Sequence, residues 1–400
     1  MSFVQSMQDA ANNFLALAKQ SKPGIVAIIF LAFFMAIVAF IWFFVYLISP
    51  IPRKPRASEK QYITNQADGR PTAPRPQTCW HETWQARKLI EEKMVLLGRK
   101  KKEDEIPIMD AEVFMSVVVP AYNEQERINY MLEEAVAFLQ RAYGVHKTKQ
   151  QPPMNEHDNA ASPQLPGWEI LIVSDGSTDK TIETALAFAH KHRLPEGALR
   201  IIALEENRGK GGAVTHGMRH VRGQYAVFAD ADGASKFDDL ASLVEVCQRI
   251  EDASGRAVAI GSRAHLVGSE AVVKVRCISH GKSQRSLLRN TLMHAFHLLI
   301  RLMTPPATSR IKDTQCGFKL FSRPALPYII PYMHSEGWIF DIEMLMLTEM
   351  AGIPMQEVAV GWREIPGSKL NVVWASLGMA WGLAQLRAAW GLGVYTKTLL

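Results

Sequence analysis

The sequence has few cysteines and no strong imbalance of charge, and both features exclude classes of protein. Only four of its 400 residues are cysteine, and no two form a C-x-x-C pair, so neither a zinc site nor a disulfide framework is indicated. They are Cys79, Cys247, Cys277 and Cys316. The formal net charge is only +6. That mild excess fits an anionic partner such as a phosphate or a membrane surface, and no basic motif interleaved with aromatics predicts binding of nucleic acid.

Two glycine-rich signatures of nucleotide-binding proteins are also missing. Residues 208–212 read Arg-Gly-Lys-Gly-Gly, which has the composition of a P-loop but not its GxxxxGK[ST] spacing. No GxGxxG motif follows the first predicted strand, which disfavours a dinucleotide-dependent oxidoreductase. The length fits one large domain or two smaller ones, and the apolar content of 48% allows a substantial core.

Charged residues are absent from residues 24–48, which are almost entirely apolar. As a helix this segment would be about 37 Å long, enough to cross a hydrocarbon core of about 30 Å. Trp42 and Tyr46 lie near its end, where aromatic residues meet the membrane interface. A cleaved signal peptide would have a shorter apolar region followed by small residues, whereas Ser49 and Pro50 follow here. The sequence predicts an uncleaved signal-anchor and one transmembrane helix.

Basic residues on the two sides of this segment predict its orientation. Lys19 and Lys22 precede it, and a larger group follows it. That group is Arg53, Lys54, Arg56 and Lys60. The positive-inside rule therefore predicts that residues 1–23 form a short lumenal N-terminus and that the bulk of the chain is cytosolic. Residues 49–112 are predicted to contain a Pro-rich extended linker over 50–78 and a juxtamembrane helix over 81–98.

From residue 113 onward, apolar runs of strand length alternate with segments of helical periodicity. Strands are predicted at 113–120, 169–174, 200–204, 225–229 and 258–260. Helices are predicted at 126–143, 180–192, 211–221, 240–251 and 340–351. This alternation predicts an α/β domain over 113–365 with a mostly parallel sheet. Residues 366–400 contain several tryptophans and glycines and are predicted to form interfacial membrane helices, the alternative being a packed core helix.

Polar side chains follow four of the predicted strands. The clearest case is Asp230 and Asp232, which come directly after an apolar run and precede a glycine. Carboxylates at the carboxyl end of a parallel strand lie where α/β sheets bind ligands, and they suit a hard divalent cation. The alternative is an Asp-rich turn without a ligand. The other three loops are 120–124, 174–179 and 207–212.

Taken in order, these four loops resemble the inverting family 2 glycosyltransferases with the nucleotide-diphospho-sugar (GT-A type, Rossmann-like) fold, over about 113–362. The resemblance implies that Asp230 and Asp232 hold Mg²⁺ or Mn²⁺, that Lys210 lies near the phosphates and that Arg263 helps to hold the sugar diphosphate. It also implies a set of residues that contact the nucleoside. That set is Pro120, Tyr122, Glu124 and Asp175.

Residues 230–234, 313–321 and 337–343 resemble the dolichyl-phosphate β-glucosyltransferases in particular. That resemblance implies UDP-glucose as donor, dolichyl phosphate as acceptor, and a product, dolichyl β-D-glucosyl phosphate, that serves protein N-glycosylation at the endoplasmic reticulum membrane. Three alternatives remain: a dolichyl-phosphate mannosyltransferase that uses GDP-mannose, a polysaccharide synthase, and a catalytically inactive membrane scaffold. The polysaccharide synthases carry QxxRW, and residues 385–390 have its letters at the wrong spacing.

Two further pairs of residues are candidates for the chemistry. Arg285 and Arg289 are four residues apart beside an apolar stretch, and we expect them to bind the lipid phosphate; the alternative is a basic face against anionic headgroups. Asp313 and Asp341 are candidates for a catalytic or orienting carboxylate, with Asp313 preferred because Asp341 could instead cap the helix that follows it. A phosphate acceptor is largely ionised at neutral pH and has little need of a general base.

Overall fold

A computed structural model of the chain describes residues 23–66, 68–99, 106–144, 167–266, 298–363 and 372–396. The chain divides into two compact units, which are considered separately. The first comprises residues 1–49 and 385–396, and the second comprises 50–384 and 397–400. Residues 1–22 of the predicted lumenal segment and both Arg285 and Arg289 lie outside the described residues.

The first unit contains helix α1, Pro23–Ile48. Residues Ala27–Ile48 are long and apolar enough to cross a membrane, and their large side chains are exposed rather than packed against protein. Such exposure of phenylalanine and isoleucine is expected of a helix whose solvent is lipid. In the same unit, Gln385 Nε2 donates a hydrogen bond to the Ile48 carbonyl, 2.9 Å away, at the end of α1.

The second unit is built on a seven-stranded, mostly parallel sheet. Its strands are β3 (Val113–Ala121), β4 (Trp168–Asp175), β5 (Leu199–Leu204), β6 (Gly223–Ala229), β7 (Val258–Ser262), β8 (Phe318–Ser322) and β9 (Met355–Ala359), and a separate pair is formed by β1 (Gln61–Tyr62) and β2 (Arg75–Pro76). The remaining helices are α2 (Trp80–Leu96), α3 (Ile128–Tyr143), α4 (Thr181–Lys191), α5 (Gly209–Met218), α6 (Leu240–Ile250), α7 (Pro306–Arg310), α8 (Phe340–Met350) and α9 (Val372–Gly391). Residues 298–303 are also helical.

The order of the strands creates a ligand-binding crevice. The sheet runs β5-β4-β3-β6-β8-β7-β9, so the chain moves outward on one side from β3 to β5 and then returns to β6 on the other side. Strands β3 and β6 are therefore the switch point at which loops diverge, and open α/β sheets bind ligands there. The aspartates 230 and 232 follow β6 directly. The fold class predicted from the sequence is confirmed.

Strand β8 is antiparallel to both β6 and β7, and β9 is parallel to β7. The sequence analysis did not predict either β8 or β9. All five side chains of β8 are buried, including that of Lys319, which interrupts the apolar pattern by which a buried strand is identified. Pairing with β6 places β8 next to the aspartate loop, because Ala229 pairs with Phe318.

Residues 50–78, predicted as an extended linker, pack against the sheet and are called the strap. Parts of the strap are extended, but Ser58–Lys60 form a 3-10 helix and the segment folds back on itself where β1 pairs with β2. Ile63 exchanges two backbone hydrogen bonds of 2.9 Å with Ile201 of the edge strand β5. Thr64 Oγ1 also donates to the Leu199 carbonyl at 2.7 Å. An extended chain can satisfy the open hydrogen-bonding groups of a sheet edge, and the strap covers β5 in this way.

Candidate active site at the carboxyl edge of the sheet

The loops after β3 and β4 are joined by Asn123, a residue that the motif analysis did not select. Its φ of 56° is in the left-handed region, which asparagine tolerates better than most residues. In that conformation its Oδ1 accepts hydrogen bonds from the backbone N–H of Thr178 at 2.8 Å and of Asp179 at 3.3 Å. The neighbouring Tyr122 is half exposed, with its ring available at the edge of the crevice.

Glu124 lies at the acidic end of this loop. Its carboxylate accepts hydrogen bonds from Arg127 Nε at 2.8 Å and Nη2 at 2.6 Å. Burial nevertheless raises the pKa of Glu124, and the negative charges of Asp232 and Asp230 add to that rise against the effect of Arg127. The structure therefore brings Glu124 within electrostatic range of both aspartates.

Asp175 ends β4 and is almost completely buried, with 3% of its surface exposed. Its Oδ1 accepts a hydrogen bond from the backbone N–H of Arg208 at 2.7 Å, and its carbonyl accepts one from Asn207 Nδ2 at 3.1 Å. Burial raises the pKa of Asp175 to about 6 despite these bonds. The structure thus joins Asp175 to the loop of residues 205–210, here called the donor loop.

A neighbouring segment packs so closely against the donor loop and α5 that glycines are needed there. A Cβ at Gly209 would lie 2.7 Å from the Glu336 carbonyl oxygen, and one at Gly211 would lie 2.5 Å from the Phe340 Cβ. Gly209 also has a φ of 78°. The segment 335–340 can approach α5 this closely only because side chains are absent. The tertiary structure therefore identifies residues 335–340 as the segment that lies against these glycines.

Lys210 and Asp230 form the centre of the site. Lys210 Nζ lies 2.5 Å from Asp230 Oδ1. Burial opposes a charge on Lys210, but the carboxylates of Asp230 and Asp341 outweigh it and raise the pKa of Lys210. The Asp230 carboxylate lies against Gly317, where an added Cβ would be 2.2 Å from Oδ2. Gly317 is therefore part of the floor of the site, a role that its motif alone does not indicate.

Asp232 occupies the other side of the same loop. Its Oδ1 accepts a hydrogen bond from the Ala234 N–H at 2.9 Å, and burial together with the charge of Asp230 raises the pKa of Asp232. A cavity of about 220 Å³ opens beside it, lined by Glu126, Arg127, Tyr130 and Asp232.

The loop is held from outside by Arg363, which sequence reasoning missed. The guanidinium of Arg363 donates to the Gly233 carbonyl at 3.1 and 3.0 Å and lies 4.2 Å from the centre of the Tyr130 ring. These contacts hold the backbone at Gly233, the residue directly after Asp232. The only sequence signal is that Arg363 directly follows the tryptophan at which the family resemblance ends.

Arg263 and Asp313, each predicted to have a role of its own, are partners. Asp313 accepts hydrogen bonds from Arg263 Nε at 2.7 Å, Nη2 at 2.8 Å and the backbone N–H at 2.8 Å. Burial would raise the pKa of Asp313, but the guanidinium holds it below its usual value. The planar, two-point pairing fixes the orientation of Arg263.

Asp341 pairs with Lys319, and both side chains are buried. Lys319 Nζ also donates to the Cys316 carbonyl at 2.7 Å, immediately before Gly317. Burial raises the pKa of Asp341, while Lys319 and Lys210 act in the opposite direction. The alternative that Asp341 caps α8 is not what the structure shows: the N-cap position is Ile339, without a side-chain cap bond, and Asp341 bonds Lys319 instead.

The donor set fits a hard divalent cation in part. Asp230 and Asp232 supply carboxylate oxygens; burial first, and then the charge of Asp230, raises the pKa of Asp232, and a cation would relieve both penalties. Within the described ranges, no group of three or more His, Cys, Asp or Glu side chains is arranged to hold a metal. Two protein carboxylates with water and substrate phosphate as further ligands is the arrangement expected for Mg²⁺.

Comparison with known proteins identifies the family of the chain. Residues 116–267 match the family model described as glycosyl transferase family 2. A dolichyl-phosphate beta-glucosyltransferase of Saccharomyces cerevisiae is 39% identical over 374 residues, which cover 92% of this chain and 94% of that protein. The Homo sapiens protein of the same name is 36% identical over 307 residues, 76% of this chain and 85% of that protein. Among solved structures, glucosyl-3-phosphoglycerate synthase from Mycobacterium tuberculosis in complex with Mn²⁺, UDP-glucose and phosphoglyceric acid aligns with 69% of this chain and 80% of that chain, at 16% identity and a TM-score of 0.43.

Proposed function

The chain belongs to the dolichyl-phosphate β-glucosyltransferases of glycosyl transferase family 2, and on that basis we propose how its site transfers glucose to dolichyl phosphate. Transfer of glucose to dolichyl phosphate is the activity of this family. UDP-glucose as the donor, inversion at the anomeric carbon and dolichyl β-D-glucosyl phosphate as the product are our proposals. The observation that carries them is that Lys210 pairs with Asp230 in the loop after β6, which also contains Asp232, while Asp175 at the end of β4 binds the backbone of Arg208 in the donor loop.

The crevice offers separate places for the parts of a nucleotide sugar. We assign four residues to its nucleoside end, where the buried carboxylate of Asp175 and the partly buried one of Glu124 can accept hydrogen bonds from a base and a ribose; the four are Pro120, Tyr122, Glu124 and Asp175. Lys210 and Arg263 supply positive charge for the diphosphate, and Asp313 orients Arg263 through two of its nitrogens. Mg²⁺ or Mn²⁺ bound by Asp230 and Asp232 would offset the negative charge that develops on the departing UDP.

The reaction needs no proton transfer to start. An oxygen of the ionised lipid phosphate attacks the anomeric carbon, the bond from that carbon to UDP breaks, and UDP departs with the bonding electrons from the opposite face. Because no general base is needed, the reaction is compatible with the ion pairs of the two candidate carboxylates. Asp313 is bound to Arg263, and Asp341 is bound to Lys319. We therefore assign both carboxylates an orienting role. Arg285 and Arg289 remain the proposed ligands of the lipid phosphate.

We further propose a single-pass protein of the endoplasmic reticulum membrane with its catalytic domain in the cytosol. The candidate span Ala27–Ile48 and the basic residues that follow it support this topology. Exposed Leu377 and Trp381 on α9 support the proposed contact of residues 366–400 with the membrane interface.

The test is transfer of radiolabelled sugar to dolichyl phosphate in membranes that contain the full chain. Label should transfer from UDP-glucose, and Asp232→Ala should abolish the transfer. Asp238→Ala is the matched control, because Asp238 is an exposed carboxylate paired with Arg141 near the same loop. Transfer from GDP-mannose instead of UDP-glucose would refute the donor assignment, and full activity of Asp232→Ala would refute the metal site. An inactive scaffold would show no shift in melting temperature with UDP and Mn²⁺.

A further inference from the structure

One carboxylate of the strap is completely buried, although the strap is a Pro-rich segment outside the catalytic motifs. Glu59 has none of its surface exposed. It accepts hydrogen bonds from Arg53 Nη1 at 2.8 Å and Nη2 at 2.5 Å, and from the Arg56 N–H at 2.9 Å. Burial by itself would raise the pKa of Glu59, but these bonds lower it to about 2. Glu59 is therefore ionised at every working pH.

The same carboxylate binds the first residue of the donor loop. Its Oε1 accepts a hydrogen bond from the Glu205 N–H at 3.1 Å. Three residues later in the loop, Arg208 Nη2 donates to the Arg53 carbonyl at 3.2 Å. The Glu59 carbonyl itself accepts a bond of 2.8 Å from His216 Nε2 in α5. The strap thus contacts the donor loop at Glu205 and at Arg208, and it also contacts α5.

A shift of this loop would move two proposed donor-binding groups together. The Arg208 N–H is the hydrogen-bond donor to Asp175 at 2.7 Å, and Lys210, two residues later, contacts Asp230. Arg56 also pairs with the side chains of Glu205 and Glu206, and Ser58 Oγ donates to Glu205, but these contacts are exposed. The described side-chain contacts of residues 61–78 do not involve the loop. The ion pair of Arg75 with Glu196, for example, is exposed and lies before β5, at the opposite end of that strand from the donor loop.

We infer that Glu59 is a positioning residue for the donor: by fastening the strap to residues 205–208, it sets the place of Asp175 and Lys210 without touching the substrate. The inference rests on the proposed function, because it takes these two residues to bind UDP-glucose. It also gives the strap a part in catalysis, beyond that of joining α1 to the catalytic domain.

The experiment compares Glu59→Gln, Glu59→Asp and Arg75→Ala in the full-length protein. Glutamine keeps the size of the side chain but loses the charge that holds two nitrogens of Arg53, so the loop should be held less firmly. We expect the KM for UDP-glucose to rise about tenfold in Glu59→Gln, with the KM for dolichyl phosphate and kcat within twofold of wild type. Glu59→Asp should recover part of the loss, and Arg75→Ala should match wild type.

The melting-temperature shift caused by UDP with Mn²⁺ gives a second readout that does not require turnover. It should be smaller in Glu59→Gln than in wild type and normal in Arg75→Ala. An unchanged KM for UDP-glucose, or an equal rise in the KM of both substrates, would overturn the inference. Glu59→Asp decides the question in the same way if the glutamine variant does not fold. A wild-type protein that binds UDP but does not transfer glucose would refute the proposed function alone, since the UDP shift would still report on Glu59.

Discussion

Replacing Gly317 with alanine should inactivate the site without unfolding the protein. The added Cβ would lie 2.2 Å from Asp230 Oδ2 and 2.4 Å from both its Cγ and its Oδ1. Because Cβ contacts under 3.0 Å are essentially never found, the carboxylate must retreat by at least about 0.8 Å. Asp230 is partly exposed toward the crevice, so it can move there at a small cost to folding. The displacement instead changes the position of a carboxylate in the proposed cation site.

A displacement of that size exceeds the tolerance of about 0.5 Å expected of a catalytic constellation. Misplacement by about 1 Å can reduce a rate by about 100-fold, so we expect kcat/KM to fall by roughly two orders of magnitude, or about 2.7 kcal/mol of transition-state stabilisation. The assay is initial-rate transfer from radiolabelled UDP-glucose to dolichyl phosphate over a range of Mn²⁺ concentrations. Thermal denaturation should show that the variant remains folded.

Gly337→Ala is the matched control, because it changes a glycine of the neighbouring motif where an added Cβ would meet nothing within 4 Å. It should retain activity close to that of wild type. If Gly317→Ala keeps kcat/KM within threefold of wild type, the Asp230 carboxylate does not depend on the open space above Gly317, and the proposed floor of the site is wrong.

Three further changes test the charges of the site. Burial raises the pKa of Asp175 from 3.8 to about 6, so its favourable contribution to stability is lost as pH rises through 6. Asp175→Asn should therefore raise the free energy of unfolding at pH 8, by roughly 3 kcal/mol at most, but not at pH 3.5, and it should weaken UDP binding; an unchanged stability at pH 8 would contradict the raised pKa. Lys319→Met leaves Asp341 buried without its partner and should lower the free energy of unfolding by about 3–5 kcal/mol, measured by urea denaturation. A second change, Asp341→Asn, should partly restore that stability, and an unchanged midpoint in the single variant would contradict the pairing. Arg263→Lys cannot bond both Asp313 oxygens in one plane, so kcat/KM should fall about tenfold, and wild-type kinetics would exclude the orienting role of Asp313.

The strands and their terminal loops were predictable because each depends on a local pattern. The apolar run before Asp230 has the length of a buried strand, and β6 is found there as Gly223–Ala229. The helix over 128–143 buries residues spaced three and four apart, which is the signal used to predict it. In contrast, β8 was not predicted, because a buried lysine contradicts the pattern and the carboxylate that offsets its charge, Asp341, is distant in the sequence.

The partners of the site residues could not be predicted in the same way. Arg263 and Asp313 each belong to a motif, and nothing in either motif indicates that they bind each other. The proline content of the strap predicts an extended segment, but it does not predict the 3-10 helix that contains Glu59 or the complete burial of Glu59. These contacts join residues far apart in the chain, so no local periodicity records them.

The sequence by itself determined the α/β class, the apolar segment at 24–48 and the four loops that carry the aspartates, lysine and glycines. These properties follow from composition and spacing within a few turns or strands, where chain geometry restricts the outcome. Only the tertiary structure decided that Gly317 leaves room for Asp230, that Lys319 offsets Asp341 and that the strap holds the donor loop. Those outcomes depend on how the sheet and its loops pack, because close approach and the pairing of buried charges are properties of the folded chain.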